Sequence, residues 1–219
     1  MTFGLNLRMI FRMKIKYFIL SIGIIGIILS FSLTLEAAIL KVGESLRPFS
    51  LQTVDKTVVT VMVEEGRLTV KRNDQTGKLI SVIRPEALLL DFWATWCIPC
   101  RAAMPHLDRL YRQFRSGEGG EEKVEFFGIA LDRQGEAIVR PFLQKIKLTY
   151  PQLSTPVGDA PPEFIRSPQE MASAFKVQEI PVVYIFDRQG KIVHAHVGFK
   201  ESHVKEIEEA VASLLKADK

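Results

Sequence analysis

The sequence predicts a mixed α/β domain, and two apolar runs with their order along the chain support that prediction. Residues 88–93 and 124–131 are nearly continuous apolar stretches, the pattern of strands buried on both faces of a sheet. A helical pattern follows each run, and the chain ends with two short strands and an amphipathic helix. This order, βαβα and then ββα, is typical of a mixed sheet flanked by helices.

Ahead of the first buried strand, the chain predicts an N-terminal β extension. Short strand patterns at 50–51, 57–63 and 67–71 are separated by turn-forming residues at 64–66 and 73–77. We expect these strands to form a meander.

The remaining elements follow from apolar spacing. A helix is expected directly after residue 100, with a kink at Pro105, and further helices at 136–146 and 169–175. Residues 155–168 hold four of the eleven prolines and predict a surface loop. Strands at 182–186 and 191–197 are joined by a hairpin turn. The stripe of the last helix is Val204, Ile207, Val211, Leu214 and Leu215.

The charge distribution argues against a nucleic-acid partner. The net charge is +4, but four basic residues and one acidic residue in the first 38 positions supply +3 of it. The rest of the chain carries 25 basic and 24 acidic residues. Nucleic-acid binding needs a concentrated basic face, which this near-balance does not indicate.

The first 38 residues predict a leader, and residues 39–219 one folded domain. An uncharged run at 17–35 follows the basic residues, and as a helix its 19 residues would span about 28 Å, close to the hydrocarbon core of a bilayer. This length favours a membrane anchor over a cleaved signal peptide, with Ser30-Phe31-Ser32 as the alternative cleavage site. The basic flank places the domain outside the cytoplasm, in the periplasm or at the cell-envelope face, anchored to the cytoplasmic membrane.

The only two cysteines, Cys97 and Cys100, lie between the buried strand and the following helix. A cysteine at a helix N-terminus faces free amide donors and the positive end of the helix dipole, which favour thiolate over thiol. Cys97 is therefore the predicted nucleophile. Cys100, one turn deeper, can resolve the mixed disulfide that Cys97 forms with a substrate. Pro99 suits the first helical turn, where its missing N–H costs nothing.

Other interpretations of the cysteines are weaker. A structural staple across so short a loop would remove little unfolded-state entropy. A zinc site normally needs four ligands, and no second cysteine pair exists. A copper site that adds His194 and His196, two histidines on one face of a strand, stays open as an alternative to solvated or core histidines.

Asp91 is a candidate catalytic carboxylate. It interrupts the buried apolar run six residues before Cys97. Burial would raise its pKa and suit it to accept the proton of Cys100 during resolution. The alternative is a partly hydrated acid at a strand end, paired with a nearby cation.

Ile180-Pro181 directly precedes a predicted buried strand, an unusual place for a proline. A cis bond here would make a tight bend beside the cysteines. It would also expose the backbone of Ile180, with which an extended substrate segment could pair.

Taken together, the stretch from Asp91 to Arg101 and the later Ile180-Pro181 resemble the thioredoxin superfamily. The leader and Met104-Pro105 make the chain similar to exported TlpA/ResA-type disulfide reductases, over about residues 40–215. This resemblance implies a thioredoxin fold, Cys97 attacking, Cys100 resolving, Trp96 packing over the pair and Pro181 in cis. The substrate-binding residues would be Trp96, Pro99, Ile180 and Pro181.

The chain departs from that family in two places. TlpA/ResA-type proteins commonly carry Asn where this chain has Asp91 and Glu where it has Ala103. The acidic group thus lies where ordinary thioredoxins have it, and we expect thioredoxin-like proton handling. The meander at 57–83 is also longer than the family's usual connection, and would form an extra hairpin or a partner surface.

The expected function is reduction of disulfides in exported proteins, which the resemblance extends to apocytochrome c and cytochrome c maturation. A membrane thiol donor would keep the dithiol reduced. The redox-active disulfide Cys97–Cys100 would be the only redox group, without further cofactor or metal. The alternatives are a disulfide oxidase or isomerase of the same fold and a copper-binding chaperone. A peroxidase is less favoured, because this chain lacks a recognisable arrangement of proline and threonine ahead of a lone peroxidatic cysteine.

Overall fold

The computed structural model describes residues 39–116 and 123–216. These residues contain nine strands and four helices, joined by turns and loops. The strands are β1 (Phe49–Thr53), β2 (Val58–Glu64), β3 (Arg67–Asn73), β4 (Leu79–Ile83), β5 (Ala87–Trp93), β6 (Val124–Ala130), β7 (Gln152–Pro156), β8 (Val182–Asp187) and β9 (Ile192–Val197). The helices are α1 (Ile98–Arg115), α2 (Glu136–Ile146), α3 (Pro168–Ala174) and α4 (Glu201–Lys216).

All nine strands belong to one mixed sheet, in the order β4-β3-β2-β1-β7-β6-β5-β8-β9. The pairs β5–β6 and β6–β7 are parallel, whereas β5–β8, β8–β9, β1–β7 and the meander pairs are antiparallel. Every residue of β5 and β6 is buried, which confirms the interpretation of the two apolar runs. The mixed sheet and its flanking helices form a thioredoxin fold, as predicted.

The predicted surface loop at 155–168 needs a correction, because β7 extends to Pro156. This strand is short and carries no alternating apolar pattern that would reveal it. It pairs with β6 on one side and with β1 on the other, so its backbone is held from both sides by non-local hydrogen bonds. The predicted helix at 136–146 is confirmed at both ends, and α1 continues through Pro105.

The meander β1–β4 extends the sheet and covers one face of its centre. Val59 and Leu68 of the meander share one buried cluster with Leu90 and Phe92 of the central strand β5. The Leu68 N–H donates to the Arg188 carbonyl in the β8–β9 turn at 2.7 Å. The extension therefore curls over the central sheet and contributes its inner side chains to the core.

Helices α1 and α4 cover the opposite face. Leu107 and Leu110 of α1 and Ile207 and Val211 of α4 pack in one buried cluster with Leu89 of β5. The side chains of β5 alternate between the two faces, so residues 89, 91 and 93 point toward the α1 side. Asp91 is thereby placed beneath the helix that follows the cysteines.

The predicted leader at 1–38 lies outside the described residues. Among residues 39–116 and 123–216, no helix is both long and apolar enough to cross a membrane.

A buried ion cluster links the meander to the central sheet. Glu125 on β6 accepts from Arg72 of β3 at 2.6 Å and from Arg115 of α1 at 2.9 Å. Burial raises the pKa of Glu125, and the charges and hydrogen bonds of Arg72 and Arg115 oppose that rise. Because the carboxylate is fully enclosed, its two arginine partners are needed to offset its lost hydration.

Replacing Glu125 with glutamine should lower the free energy of unfolding by about 3 kcal/mol, because both arginines then lack their buried counter-charge. Urea unfolding at pH 7 measures this change. The matched control is Glu209→Gln, which breaks an exposed i,i+4 pair with Lys205 and should cost less than about 0.5 kcal/mol. Equal losses of unfolding free energy in the two variants would show that the buried cluster stabilises the fold no more than an exposed ion pair does.

Candidate active site

Cys97 and Cys100 lie where β5 gives way to α1, and they are joined in a disulfide. Cys97 is the N-cap of α1, and its Sγ accepts a hydrogen bond from the Cys100 N–H at 3.2 Å. Pro99 lies in the first helical turn, which has no acidic residue. After reduction, the amide donor and the helix dipole would favour a negative charge on the Cys97 sulfur.

The loop that carries the cysteines is fixed by buried polar contacts. Thr95 donates to Asp132 through both its N–H, at 2.9 Å, and its hydroxyl, at 2.6 Å. The Trp93 indole N–H donates to Gln152 Oε1 at 2.8 Å. Gly128 has to lack a side chain here, because a Cβ would overlap the Gln152 amide. Sequence reasoning missed Asp132 and Gln152, since their partners are distant in sequence.

The Ile180-Pro181 bond is cis, as the family resemblance implies. It lies directly before β8, and the Ile180 carbonyl oxygen is 3.7 Å from the Cys97 Sγ. The predicted substrate-binding pair is thus in contact with the predicted nucleophile, although the two are 83 residues apart in the chain.

The cysteines themselves are buried, but their surroundings are apolar and exposed. Trp96 is 70% exposed and Ile98 is 77% exposed, whereas Cys97 is only 4% exposed. Pro99 is also exposed. The structure therefore presents Trp96 chiefly to solvent. Exposed apolar side chains around a buried disulfide are suited to dock a polypeptide.

A groove of about 540 Å³ adjoins this surface between α1 and α2. Its lining includes Ile98, Arg101 and Met104 from α1 and Phe142 and Ile146 from α2. Sequence reasoning missed the α2 side chains as part of the site. Their i,i+4 spacing marked an apolar helix stripe, but nothing in the sequence indicated that it would lie beside the cysteines.

Asp91 is 1% exposed, so the predicted burial is confirmed. Burial raises its pKa to about 7, and a hydrogen bond from Tyr150 opposes that rise. The Tyr150 hydroxyl donates to Asp91 Oδ2 at 3.1 Å, and Oδ1 has no hydrogen-bond partner among the described residues. The alternative of a hydrated acid paired with a cation is wrong, since the carboxyl group is enclosed and its partner is a phenol. Sequence reasoning did not identify Tyr150.

Three of the four histidines, His194, His196 and His203, form a cluster on β9 and α4. His194 Nε2 and His196 Nδ1 are 3.0 Å apart, and the rings of His196 and His203 lie 4.1 Å apart between centroids. Across residues 39–116 and 123–216, no group of three or more His, Cys, Asp or Glu side chains is arranged to hold a metal ion. The copper interpretation gains no support from this arrangement.

Comparison with known proteins agrees with the fold and with an oxidoreductase activity. A family model described as thioredoxin-like matches residues 85–192. The thiol-disulfide oxidoreductase ResA of Oceanobacillus iheyensis is 26% identical over 185 residues, which cover 84% of this chain and 79% of ResA. The thioredoxin-like protein YneN of Bacillus subtilis is 29% identical over 147 residues, which cover 67% of this chain and 70% of YneN.

A solved structure shows the same fold. It belongs to a Chlorobium tepidum protein provisionally assigned as the thiol:disulfide interchange protein DsbE, with a TM-score of 0.55 and 20% identity. The match covers 80% of this chain and 99% of that one.

Fold, cysteine pair and relatives together define a thiol:disulfide oxidoreductase of the thioredoxin superfamily. Within that superfamily, the chain is similar to proteins of the TlpA/ResA type.

The histidine cluster predicts sensitivity to acid. Burial, followed by the charges of His203 and His194, lowers the pKa of His196 to about 3. In the unfolded chain a histidine has a pKa near 6.5. Below that pH the unfolded state binds a proton at position 196, whereas His196 in the folded state stays neutral. The stability that neutral His196 contributes is therefore complete above about pH 6.5 and is lost as the pH falls toward 3.

Between pH 7.5 and pH 5, His196 should account for about 1–2 kcal/mol of lost unfolding free energy. In His196→Gln this part of the loss should disappear, as measured by urea unfolding at both pH values. His106→Gln is the control, because His106 stacks on Phe199 instead of another histidine. If His196→Gln is as acid-sensitive as the wild type, the cluster is not the cause.

Proposed function

We propose that this protein reduces disulfides in exported proteins by exchange through Cys97 and Cys100. The observation that carries this proposal is the position of the Cys97 Sγ, which accepts the Cys100 amide at the start of α1 and lies beside the Ile180 carbonyl. The exposed apolar rim of Trp96 and Ile98 supports docking of an unfolded or extended segment. Such a segment would pair with the backbone of Ile180 beside Pro181.

The exchange proceeds in two steps. The Cys97 thiolate attacks one sulfur of the substrate disulfide, a mixed disulfide forms, and the other substrate sulfur leaves as a thiolate. Cys100 then transfers its proton to Asp91, and its thiolate attacks the Cys97 sulfur. The remaining substrate sulfur leaves as a thiolate, and both substrate thiolates take up protons. The substrate gains two electrons, and the protein ends as the Cys97–Cys100 disulfide.

Asp91 supports the second step by its position and protonation. It lies on the face of β5 that α1 covers, and α1 carries Cys100. Because burial raises the pKa of Asp91 to about 7, the carboxylate can both take up and release a proton near neutral pH.

The cellular setting extends this proposal. The basic and apolar pattern of residues 1–38 supports a location outside the cytoplasm with a membrane anchor. A protein that acts as a reductant there needs a thiol donor at the membrane to return its disulfide to the dithiol. The resemblance of the sequence to TlpA/ResA-type disulfide reductases extends the proposal to apocytochrome c as one substrate, in cytochrome c maturation.

The reduction potential tests the direction of exchange. Equilibration with a thiol redox buffer should give a value near about −250 mV, in the range of reducing thioredoxins. Alkylation of thiols in intact cells should also trap Cys97 and Cys100 mostly in the reduced form. Protein treated with dithiothreitol before alkylation marks the fully reduced position on the gel, with both cysteines alkylated, and Cys100→Ser marks the position of a single alkylated cysteine. A potential near about −120 mV with mostly oxidised protein would assign an oxidase instead.

Asp91→Asn tests the proton acceptor. In the wild type, the rate of mixed-disulfide resolution should rise with pH through about 7, because Asp91 accepts a proton only in its ionised form. The variant should lose this inflection and resolve about 100-fold more slowly near neutral pH, measured by rapid-quench kinetics. Asp187→Asn removes a carboxylate that accepts from backbone amides of the β8–β9 turn, and should behave like the wild type. An unchanged pH profile in Asp91→Asn would exclude Asp91 from the step.

A further inference from the structure

Tyr150 is the one hydrogen-bond donor to Asp91 among the described residues. It lies in the short connection between α2 and β7, and its hydroxyl is 3.1 Å from Asp91 Oδ2. Both side chains are 1% exposed. A buried phenol that donates to a buried carboxyl group is protected from competition by water, so its effect on the carboxyl is large.

Tyr150 is held in place through the residue before it, through its own backbone and through its ring. The preceding residue, Thr149, donates through its N–H and its hydroxyl to Asp108 Oδ1 on α1, at 2.5 and 2.7 Å. The Tyr150 carbonyl accepts from Gln152 Nε2 at 2.9 Å, and its ring lies edge-on to Tyr111 at 6.1 Å between centroids. These contacts fix where the hydroxyl points, and Tyr150 therefore reaches Asp91 in a defined orientation.

The two oxygens of Asp91 are consequently different. Oδ2 accepts from Tyr150, whereas Oδ1 is buried and has no partner in the described part of the chain. The residues opposite Asp91 on the neighbouring strands are Gly128 and Val183, whose side chains offer no polar group. Oδ1 is the oxygen left to take up a proton.

Among the described residues, the influences on the pKa of Asp91 are its burial and the hydrogen bond from Tyr150. α1 contributes Cys100, Asp108 and Tyr111 to this side of the sheet, and Cys97 is its N-cap. α4 contributes the apolar side chains of Val204, Ile207 and Val211, and its His203 packs against His196 of β9 on the same side of the sheet. The donor that stabilises ionised Asp91 is therefore the Tyr150 hydroxyl.

We propose that Tyr150 is a positioning residue for proton transfer: it holds Asp91 Oδ2, leaves Oδ1 to receive the proton of Cys100, and stabilises the carboxylate form. This inference rests on the proposed function, in which Asp91 accepts that proton during resolution. Tyr150 itself keeps its proton throughout. Burial, the charge of Asp91 and the hydrogen bond to it all raise the pKa of the phenol well above its ordinary value.

The direct test is the titration of Asp91 in the oxidised protein, followed by carbon-13 NMR of its carboxyl group. In Tyr150→Phe the midpoint should move to higher pH by about 1 pH unit, because the carboxylate loses its hydrogen bond. Tyr184→Phe is the matched control. It removes another buried hydroxyl, which donates to the Phe175 carbonyl on the other face of the sheet, and should leave the midpoint unchanged. An unchanged or lower midpoint in Tyr150→Phe would overturn the proposal.

A second measurement keeps the test valid if Tyr150→Phe folds poorly. Site-specific 3-fluorotyrosine at position 150 keeps the ring and makes the hydroxyl a stronger donor. The Asp91 midpoint should then move to lower pH. A shift in the opposite direction, or none, would count against Tyr150 as the donor that sets the proton affinity.

Kinetics separate positioning from a purely structural role. Tyr150→Phe should slow resolution of the mixed disulfide about tenfold at pH 7 and leave the first attack by Cys97 unchanged. In an Asp91→Asn background, Tyr150→Phe should have no further effect on resolution. An equal loss in both backgrounds would show that Tyr150 does not act through Asp91. Because the NMR titration needs no substrate, it decides the role of Tyr150 even if the protein fails to reduce disulfides.

Discussion

The site depends on one local contact, the hydrogen bond from the Cys100 amide to the Cys97 sulfur at the start of α1. A helix N-terminus leaves amide groups without partners, and a sulfur placed there gains both a donor and a favourable dipole. The contact persists because β5 is buried on both faces and paired with β6 and β8, which fixes the point where the helix begins. The same pairing with β8 brings the Ile180 carbonyl next to Cys97.

The buried carboxyl group of Asp91 beneath α1 lowers the stability of the fold but serves the proposed function. Enclosing Asp91 disfavours its charged form, and one neutral hydroxyl only partly compensates for the lost hydration. A hydrophobic residue at this position would suit the core better. Asp91 thus breaks the local rule that apolar residues fill a central strand, and such exceptions are expected at functional sites. Position 103 on α1 is an alanine, which carries no acid. The acidic group near the cysteines is therefore supplied by Asp91 of β5.

The meander gives the central sheet a cover that is itself built from strands. Its inner side chains share a core with β5, and Glu125 joins β3 to α1 through two arginines. The extension therefore shares a buried core with β5, the strand that carries Asp91 and leads to the cysteines. The outer strand β4 exposes Leu79, Ile80 and Val82.

The sequence by itself determined the central strands, the helix after the cysteines, the position of the cysteine pair at the start of that helix, and the buried acid, because each depends on local pattern and short spacing. It also located Pro181 through the family resemblance. The tertiary structure decided what depends on distant pairs: the strand β7, the curled meander, the groove formed with α2, and the contact of Tyr150 with Asp91 across 59 residues. A phenol or a short polar strand carries no local signal of its partner, so its role appears only when the sheet brings the two together.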